Sequence, residues 1–183
     1  MQYTDIPNMP MVSISWHGKE LMTGNLNGKR VLIWSGRVHM YEGYNKNQVG
    51  FISHISGLLG CKTIILTNSS GGGIEGMKLG SVIVSTDHIN NTIECPVTDA
   101  HIDPRFGNDN LTSTECHSPN LIEIAEEAAK SQGLSVHRGV YTWAIGPCFE
   151  TPLETTSIRH FGGNAFGMST VPEILGAGQM GMQ

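Results

Sequence analysis

Short apolar runs that stop abruptly at clusters of glycine, serine and asparagine are what most limits how this chain can fold. Arg30-Val31-Leu32-Ile33-Trp34 is one such run, Lys62-Thr63-Ile64-Ile65-Leu66-Thr67 a second and Ser81-Val82-Ile83-Val84-Ser85 a third. Runs this short and this rich in β-branched residues suit strands buried on both faces. Between the first two, Asn47 to Leu59 carries apolar residues at 49, 52, 55, 58 and 59, the spacing of a helix, with Gly60 as its terminator. Two strands joined by a helix predict a parallel βαβ unit with a right-handed crossover. Farther on, Ser118-Pro119 predicts a helix start, with Leu121, Ile124, Ala125 and Ala128 along one face and Gly133 at its end. Val136 to Ile145 reads as a strand region, and Thr151-Pro152-Leu153-Glu154 as a capping box opening a helix to about Phe161. Asn164 to Met168 suits a short strand, and Ser169 to Glu173 starts a last helix expected to continue to Gln183. The pattern predicts one α/β domain over residues 1–183, with no internal repeat and no dividing linker.

Composition narrows the partners. A chain of 183 residues can bury a sizeable core, and 23 glycines with few charges suit a compact fold with many tight turns. The formal charge of −5 comes without a basic block, so nucleic acid is not an expected partner. No run of about 18 apolar residues suggests a membrane span, and the start Met1-Gln2-Tyr3-Thr4-Asp5 lacks a basic then apolar leader, so the expected compartment is cytoplasmic. Cys61, Cys95, Cys116 and Cys148 form no Cys-x-x-Cys pair and are expected as thiols. Asp99-x-His101-x-Asp103 has metal-ligand residue types, but one short polar turn is far more often just a loop, and it lies in a long loop from Asn91 to His117.

The chemistry gathers where the apolar runs end. After the first lies Gly36-Arg37-Val38-His39-Met40-Tyr41-Glu42-Gly43-Tyr44, with a cation, an imidazole, a phenol and a carboxylate close together. Arg37 offers a planar fork of donors for phosphate or carboxylate, and His39 is placed to donate to the same anion or to bridge to Glu42. Tyr41 offers a flat ring with a polar tip to a sugar face. A solvated turn in which Arg37 merely pairs with Glu42 is the alternative. After the second run, Asn68-Ser69-Ser70-Gly71-Gly72 lets backbone N–H groups approach an anion. Ser169, ahead of Val171-Pro172, has the setting of a helix N-terminus, where the dipole favours an anion, though an ordinary N-cap explains it too. Phe149-Glu150 places a ring to stack on a base beside a carboxylate to accept from its edge.

Taken in order, these pieces resemble the trimeric purine nucleoside phosphorylases and their methylthioadenosine phosphorylase relatives. The matching segments are Leu26-Asn27-Gly28, Gly36 to Tyr44, Thr67 to Gly72, Asp87-His88-Ile89-Asn90, Arg105-Phe106-Gly107, Gly146 to Thr151 and Gly167 to Glu173. The resemblance implies a three-layer fold with a mixed, mostly parallel sheet flanked by helices. It also implies phosphorolysis of inosine- or guanosine-type nucleosides to free base and ribose 1-phosphate, in a cytoplasmic homotrimer. Inorganic phosphate would be the co-substrate, with no cofactor and no metal. Carried over by position, Arg37, His39, Ser169, Ser69 and His17 would hold phosphate, and Tyr41 and Met168 would contact the ribose. Phe149, Glu150, Asn68 and Phe166 would surround the base, with His39 and Glu150 closest to the chemistry.

The family's chains continue at both ends beyond this sequence, with a serine-bearing phosphate loop before it and purine- and ribose-contacting residues after it. Two expectations stand side by side: a portion of a longer phosphorylase, or a shortened paralogue that has lost or altered catalysis and acts as a nucleoside- or phosphate-binding or interaction protein. Phe166 stands where the family usually has a small aliphatic, so a differently shaped purine pocket is expected.

Overall fold

The computed structural model describes residues 1–95, 97, 105–107, 110–112 and 116–183. Asp99, His101 and Asp103, and part of the predicted loop from 91 to 117, lie outside the described residues.

The first apolar run does not join the main sheet. Residues Leu21–Leu26 (β1) and Lys29–Trp34 (β2) pair antiparallel as a separate hairpin, in register from Leu21 opposite Trp34 to Leu26 opposite Lys29. The cause is local: Asn27 (φ 48°) and Gly28 (φ 78°) occupy the left-handed region, as a tight two-residue hairpin turn requires. Asn-Gly is the sequence signal for that turn, and it outweighs the apolar run that suggested a buried parallel strand. Accordingly β2 is only half-buried, with Ile33 exposed.

The second predicted strand is corrected too. Lys62 to Thr67 joins no ladder among the described residues; its backbone hydrogen bonds there run to the chain's end, Ile64 N–H to Gln183 C=O at 2.8 Å and Gln183 N–H to Lys62 C=O at 2.9 Å, and to the Arg37 guanidinium at Thr67 C=O. A β-branched run becomes a strand only beside another strand, and Ile65 remains exposed here.

The main sheet has four strands in the order β3-β6-β5-β4: Gly71–Gly72 (β3), Val82–Asn90 (β4), Val136–Trp143 (β5) and Gly163–Gly167 (β6). The β4–β5 and β5–β6 pairs are parallel and β3 is antiparallel, so the sheet is mixed and mostly parallel, as expected. The helices are Lys46–Val49 (α1), Phe51–Leu58 (α2), Pro119–Ser131 (α3), Pro152–His160 (α4) and Val171–Gln179 (α5). The helical periodicity between 47 and 59 is thus divided at Gly50. The parallel crossovers run through α3 and α4 rather than through α2. The capping box forms as read: Glu154 N–H donates to Thr151 Oγ1 at 3.3 Å and Thr151 N–H to Glu154 Oε2 at 2.7 Å. The last helix ends at Gln179 rather than at Gln183.

Two apolar clusters hold these parts. One gathers Tyr3, Met9, Val12, Val38, Val49 and Ile52 under the hairpin, and the other gathers Tyr141, Trp143, Ala165, Val171 and Ile174 between sheet and α5. Met40 packs against both. Helix α5 tolerates Gly176 because the missing side chain admits α2: a Cβ there would stand 3.2 Å from Ser53 Cβ. Gly57 does the same from α2, where a Cβ would come within 2.5 Å of Met180 Cβ.

An exposed helix interior would gain about 1 kcal/mol on exchanging glycine for alanine, but the crowding at Gly57 reverses the sign. Gly57→Val is expected to lower stability by about 1–3 kcal/mol in urea denaturation. Gly24→Val in β1, where nothing lies within 4 Å of the added Cβ, should be close to neutral.

Candidate active site

The chain leaves the hairpin through Gly36, whose carbonyl accepts a hydrogen bond from the Tyr3 hydroxyl at 2.9 Å. Burial pushes that phenol up to about 12, so it stays a donor at any physiological pH. Arg37 follows, and its guanidinium is fixed from two sides. Nε donates to Glu173 Oε1 at 2.5 Å and Nη1 to the Thr67 carbonyl at 2.7 Å. The pair is well buried, the Glu173 side chain being 1% exposed. The turn reading of Arg37 with Glu42 is therefore replaced by a long-range pair between the strand end and the first turn of α5.

Glu42 instead holds His39 and the N-terminal segment. Its Oε1 accepts from His39 N–H at 2.7 Å and lies 3.0 Å from His39 Nδ1; its Oε2 accepts from Ser13 N–H at 2.8 Å and from the Ser13 hydroxyl. Desolvation pushes this carboxyl up, but the hydrogen bonds from Ser13 and His39 outweigh it and hold it below the usual glutamate value. For His39, burial is the largest influence and lowers the imidazole below its usual range, against the raising effect of Glu42. With Nδ1 facing a carboxylate, Nε2 remains for a ligand. Tyr41 stacks on His39, ring centroids 4.8 Å apart, and His17 lies 5.6 Å from it on another side. His17 Nδ1 accepts from Arg37 N–H at 3.1 Å.

The opposite wall comes from the end of β6 and the start of α5. Thr170 is the N-cap at a positive φ (φ 75°, ψ −45°), unusual for a β-branched residue. Glu173 stabilises it by accepting from Thr170 N–H at 2.7 Å, and Asn68 Nδ2 donates to Thr170 Oγ1 at 2.9 Å. Ser169 Oγ lies 3.0 Å from Thr170 Oγ1. Ser169, read from sequence as the possible cap, thus precedes the cap and presents its hydroxyl beside it. Met168 and Tyr41 close around Gly146: a Cβ at Gly146 would stand 2.4 Å from Met168 Sδ and 3.0 Å from Tyr41 Cδ1, so only glycine permits this approach.

All eleven residues singled out from sequence line one cleft of about 1390 Å³: His17, Arg37, His39, Tyr41, Asn68, Ser69, Phe149, Glu150, Phe166, Met168 and Ser169. Their positions within it differ. Phe166 is buried and packs against the Gly71–Gly73 backbone, whereas Phe149 is 86% exposed at the rim beside Glu150. Asn68 has both ends of its amide engaged, by Thr170 and by the Ser70 hydroxyl. Two structural members carried no role in the sequence reading, Glu173 and Thr170. The signal for Glu173 was present as the third residue after Thr170 in a capping box, but its bond to Arg37 spans 136 positions and has no local signature.

Comparison with known proteins gives consistent matches over the whole chain. The model of a family described as Phosphorylase superfamily matches residues 2–183. Purine nucleoside phosphorylase 1 of Geobacillus stearothermophilus is 39% identical over 184 residues, covering 99% of this chain and 66% of that protein. The purine nucleoside phosphorylase of Rattus norvegicus is 34% identical over 186 residues, covering 99% of this chain and 64% of that one. Among solved structures, Schistosoma mansoni purine nucleoside phosphorylase in complex with inosine superposes with a TM-score of 0.87 at 33% identity, covering 100% of this chain and 66% of that chain. The chain thus spans about two thirds of the length of the relatives it matches.

Removing Glu173 leaves the Arg37 guanidinium partly buried without its carboxylate and the Thr170 N–H without its acceptor. Glu173→Ala is expected to cost about 3–5 kcal/mol, measured by chemical denaturation. Glu42 predicts a pH dependence. Its folded pKa is depressed, so its contribution is complete above the unfolded value near 4.5 and is lost as pH falls through the lower folded value. Ser13→Ala, which removes one of these hydrogen bonds, should be less stable than the wild type by about 1 kcal/mol at pH 7. The gap should narrow steadily below pH 4.5; a gap constant to pH 3 would contradict this account of Glu42.

Proposed function

Because the chain belongs to the phosphorylase superfamily, and within it to the purine nucleoside phosphorylases, we propose that it cleaves purine nucleosides of the inosine and guanosine type with inorganic phosphate. The products are free base and ribose 1-phosphate. The observation that carries this reading is that Arg37, His39 and Ser169 line the same cleft as Phe149, Glu150 and Phe166.

In this reaction a phosphate oxygen forms a bond to C1′ as the bond from C1′ to the base breaks, and positive charge builds on the sugar between them. Orientation and electrostatic stabilisation supply the rate, without a covalent nucleophile on the protein. Arg37, pinned at Nε and Nη1, presents its remaining N–H groups in a fixed direction toward phosphate. A neutral His39 that donates through Nδ1 to Glu42 offers Nε2 as an acceptor, suited to the P–OH of hydrogen phosphate. That bond turns an ionised oxygen toward C1′. Asn68 donates to Thr170, which frees the Thr170 hydroxyl to donate to Ser169 and the Ser169 hydroxyl to donate to the anion. A backbone N–H at Ser69 and the ring of His17 complete the anion site. Tyr41 and Met168, brought together over Gly146, form the surface for the ribose. Glu150 accepts from N1–H of a 6-oxopurine, with Phe149 against the ring, so that Glu150 acts on the base and His39 on the phosphate. No cofactor or metal enters the reaction. The proposed assembly is a homotrimer, and the proposed setting is cytoplasmic purine salvage.

Incubating the folded protein with inosine is expected to release hypoxanthine only when phosphate is present, with ribose 1-phosphate formed in equal amount. Base release without phosphate would indicate hydrolysis, and calorimetric binding of hypoxanthine without turnover would indicate a nucleoside-binding protein. Glu150→Ala should reduce kcat/KM for inosine at least about tenfold, the loss of one charge-assisted hydrogen bond.

A further inference from the structure

We propose that Asp87, His88 and His117 form a binding site for a divalent first-row transition ion of the zinc class, separate from the nucleoside cleft. The three residues offer ligand atoms that all lie within 4.8 Å of one another. They come from two elements: Asp87 and His88 from β4, and His117 from the entry to α3. Strand β4 is the edge strand opposite β3, two positions from β6, and none of the three residues lines the cleft.

The geometry favours an ion over a chance meeting of side chains. His88 Nδ1 and His117 Nε2 face each other at 3.0 Å. Two imidazole nitrogens bound at about 2.0–2.1 Å to one tetrahedral zinc lie roughly 3.3 Å apart, so a small adjustment places an ion between them. The rings are 5.3 Å apart and tilted by 37°, which leaves the approach to both nitrogens unobstructed by stacking. Asp87 Oδ1 accepts from His88 N–H at 2.8 Å, which fixes the carboxylate and leaves its second oxygen for a ligand.

Outer hydrogen bonds hold the ligands as a metal site requires. The His117 ring is hydrogen-bonded to the Ser85 backbone, and the Ser85 hydroxyl donates to the Asp87 carbonyl at 2.9 Å. The register shift between Ser85 and Asp87 marks a β-bulge, which interrupts the regular alternation of β4 immediately before the pair. The two facing nitrogens share one proton in their hydrogen bond, and a bound ion would displace it. Two nitrogens and one carboxylate oxygen suit zinc and its neighbours better than calcium or magnesium, which prefer oxygen. Bound there, the ion would fasten the start of α3 to the edge of the sheet; the phosphorolysis proposed above makes no use of it.

The test is titration of the metal-stripped full chain with ZnCl₂, followed by calorimetry and by thermal unfolding. The expected result is one ion per chain and a melting temperature that rises with zinc. His117→Ala and Asp87→Asn should each weaken binding at least about tenfold and abolish most of that rise. Circular dichroism of each variant checks folding, and long-range ¹⁵N NMR of the wild type reads the site without mutation. Zinc should shift the ring nitrogens of both His88 and His117. A plain hydrogen-bonded histidine pair would leave those resonances unmoved, and that result, or equal zinc affinity in wild type and His117→Ala, overturns the proposal. Phosphorolysis by the metal-stripped protein should be unchanged, so failure of this site and failure of the phosphorylase reading are separately visible.

Discussion

The ion pair between Arg37 and Glu173 ties together parts of the chain 136 positions apart. Arg37 ends the segment that leaves the hairpin, and Glu173 sits in the first turn of α5, with Thr67 as a third anchor. A buried carboxylate would be costly unpaired, and here each of its oxygens has a donor: the guanidinium on one side and the Thr170 N–H on the other. One side chain therefore orients the cation, caps the helix and supports the strained Thr170. The backbone strain, of order 1–3 kcal/mol for such a conformation, persists because this network over-determines it.

The same network explains how the cleft is divided. Several of its polar groups have partners inside the protein: Arg37 with Glu173, His39 with Glu42, and Ser169 beside Thr170, itself held by Asn68. Phe149, next to Glu150, is exposed instead. Fixed donors suit a ligand of constant shape such as phosphate, whereas an exposed ring gains its full contact only when a flat partner covers it.

Much of the candidate site was legible because its residues sit in short local motifs. Arg37, His39 and Tyr41 lie within five positions, and Phe149-Glu150 stands just before a capping box that forms as read. The fold was less legible where local pattern and neighbours disagree. Val31 to Trp34 and Thr63 to Leu66 have equal claims to be buried strands, yet the first pairs in a hairpin dictated by Asn27-Gly28 and the second joins no ladder among the described residues. Periodicity describes a segment's faces and says nothing about what stands against them. The positions of Glu173 and His117 were invisible for the related reason that each acts on a residue distant in sequence, Arg37 in one case and His88 in the other.

Met40 packs against both apolar clusters, in the middle of the segment that carries Arg37, His39 and Tyr41. The candidate cleft is consequently a seam, lined on one side by the segment packed on the first cluster and on the other by the start of α5 over the second. A ligand that binds the native cleft and not a partly folded chain would, by mass action, favour molecules in which both clusters are complete.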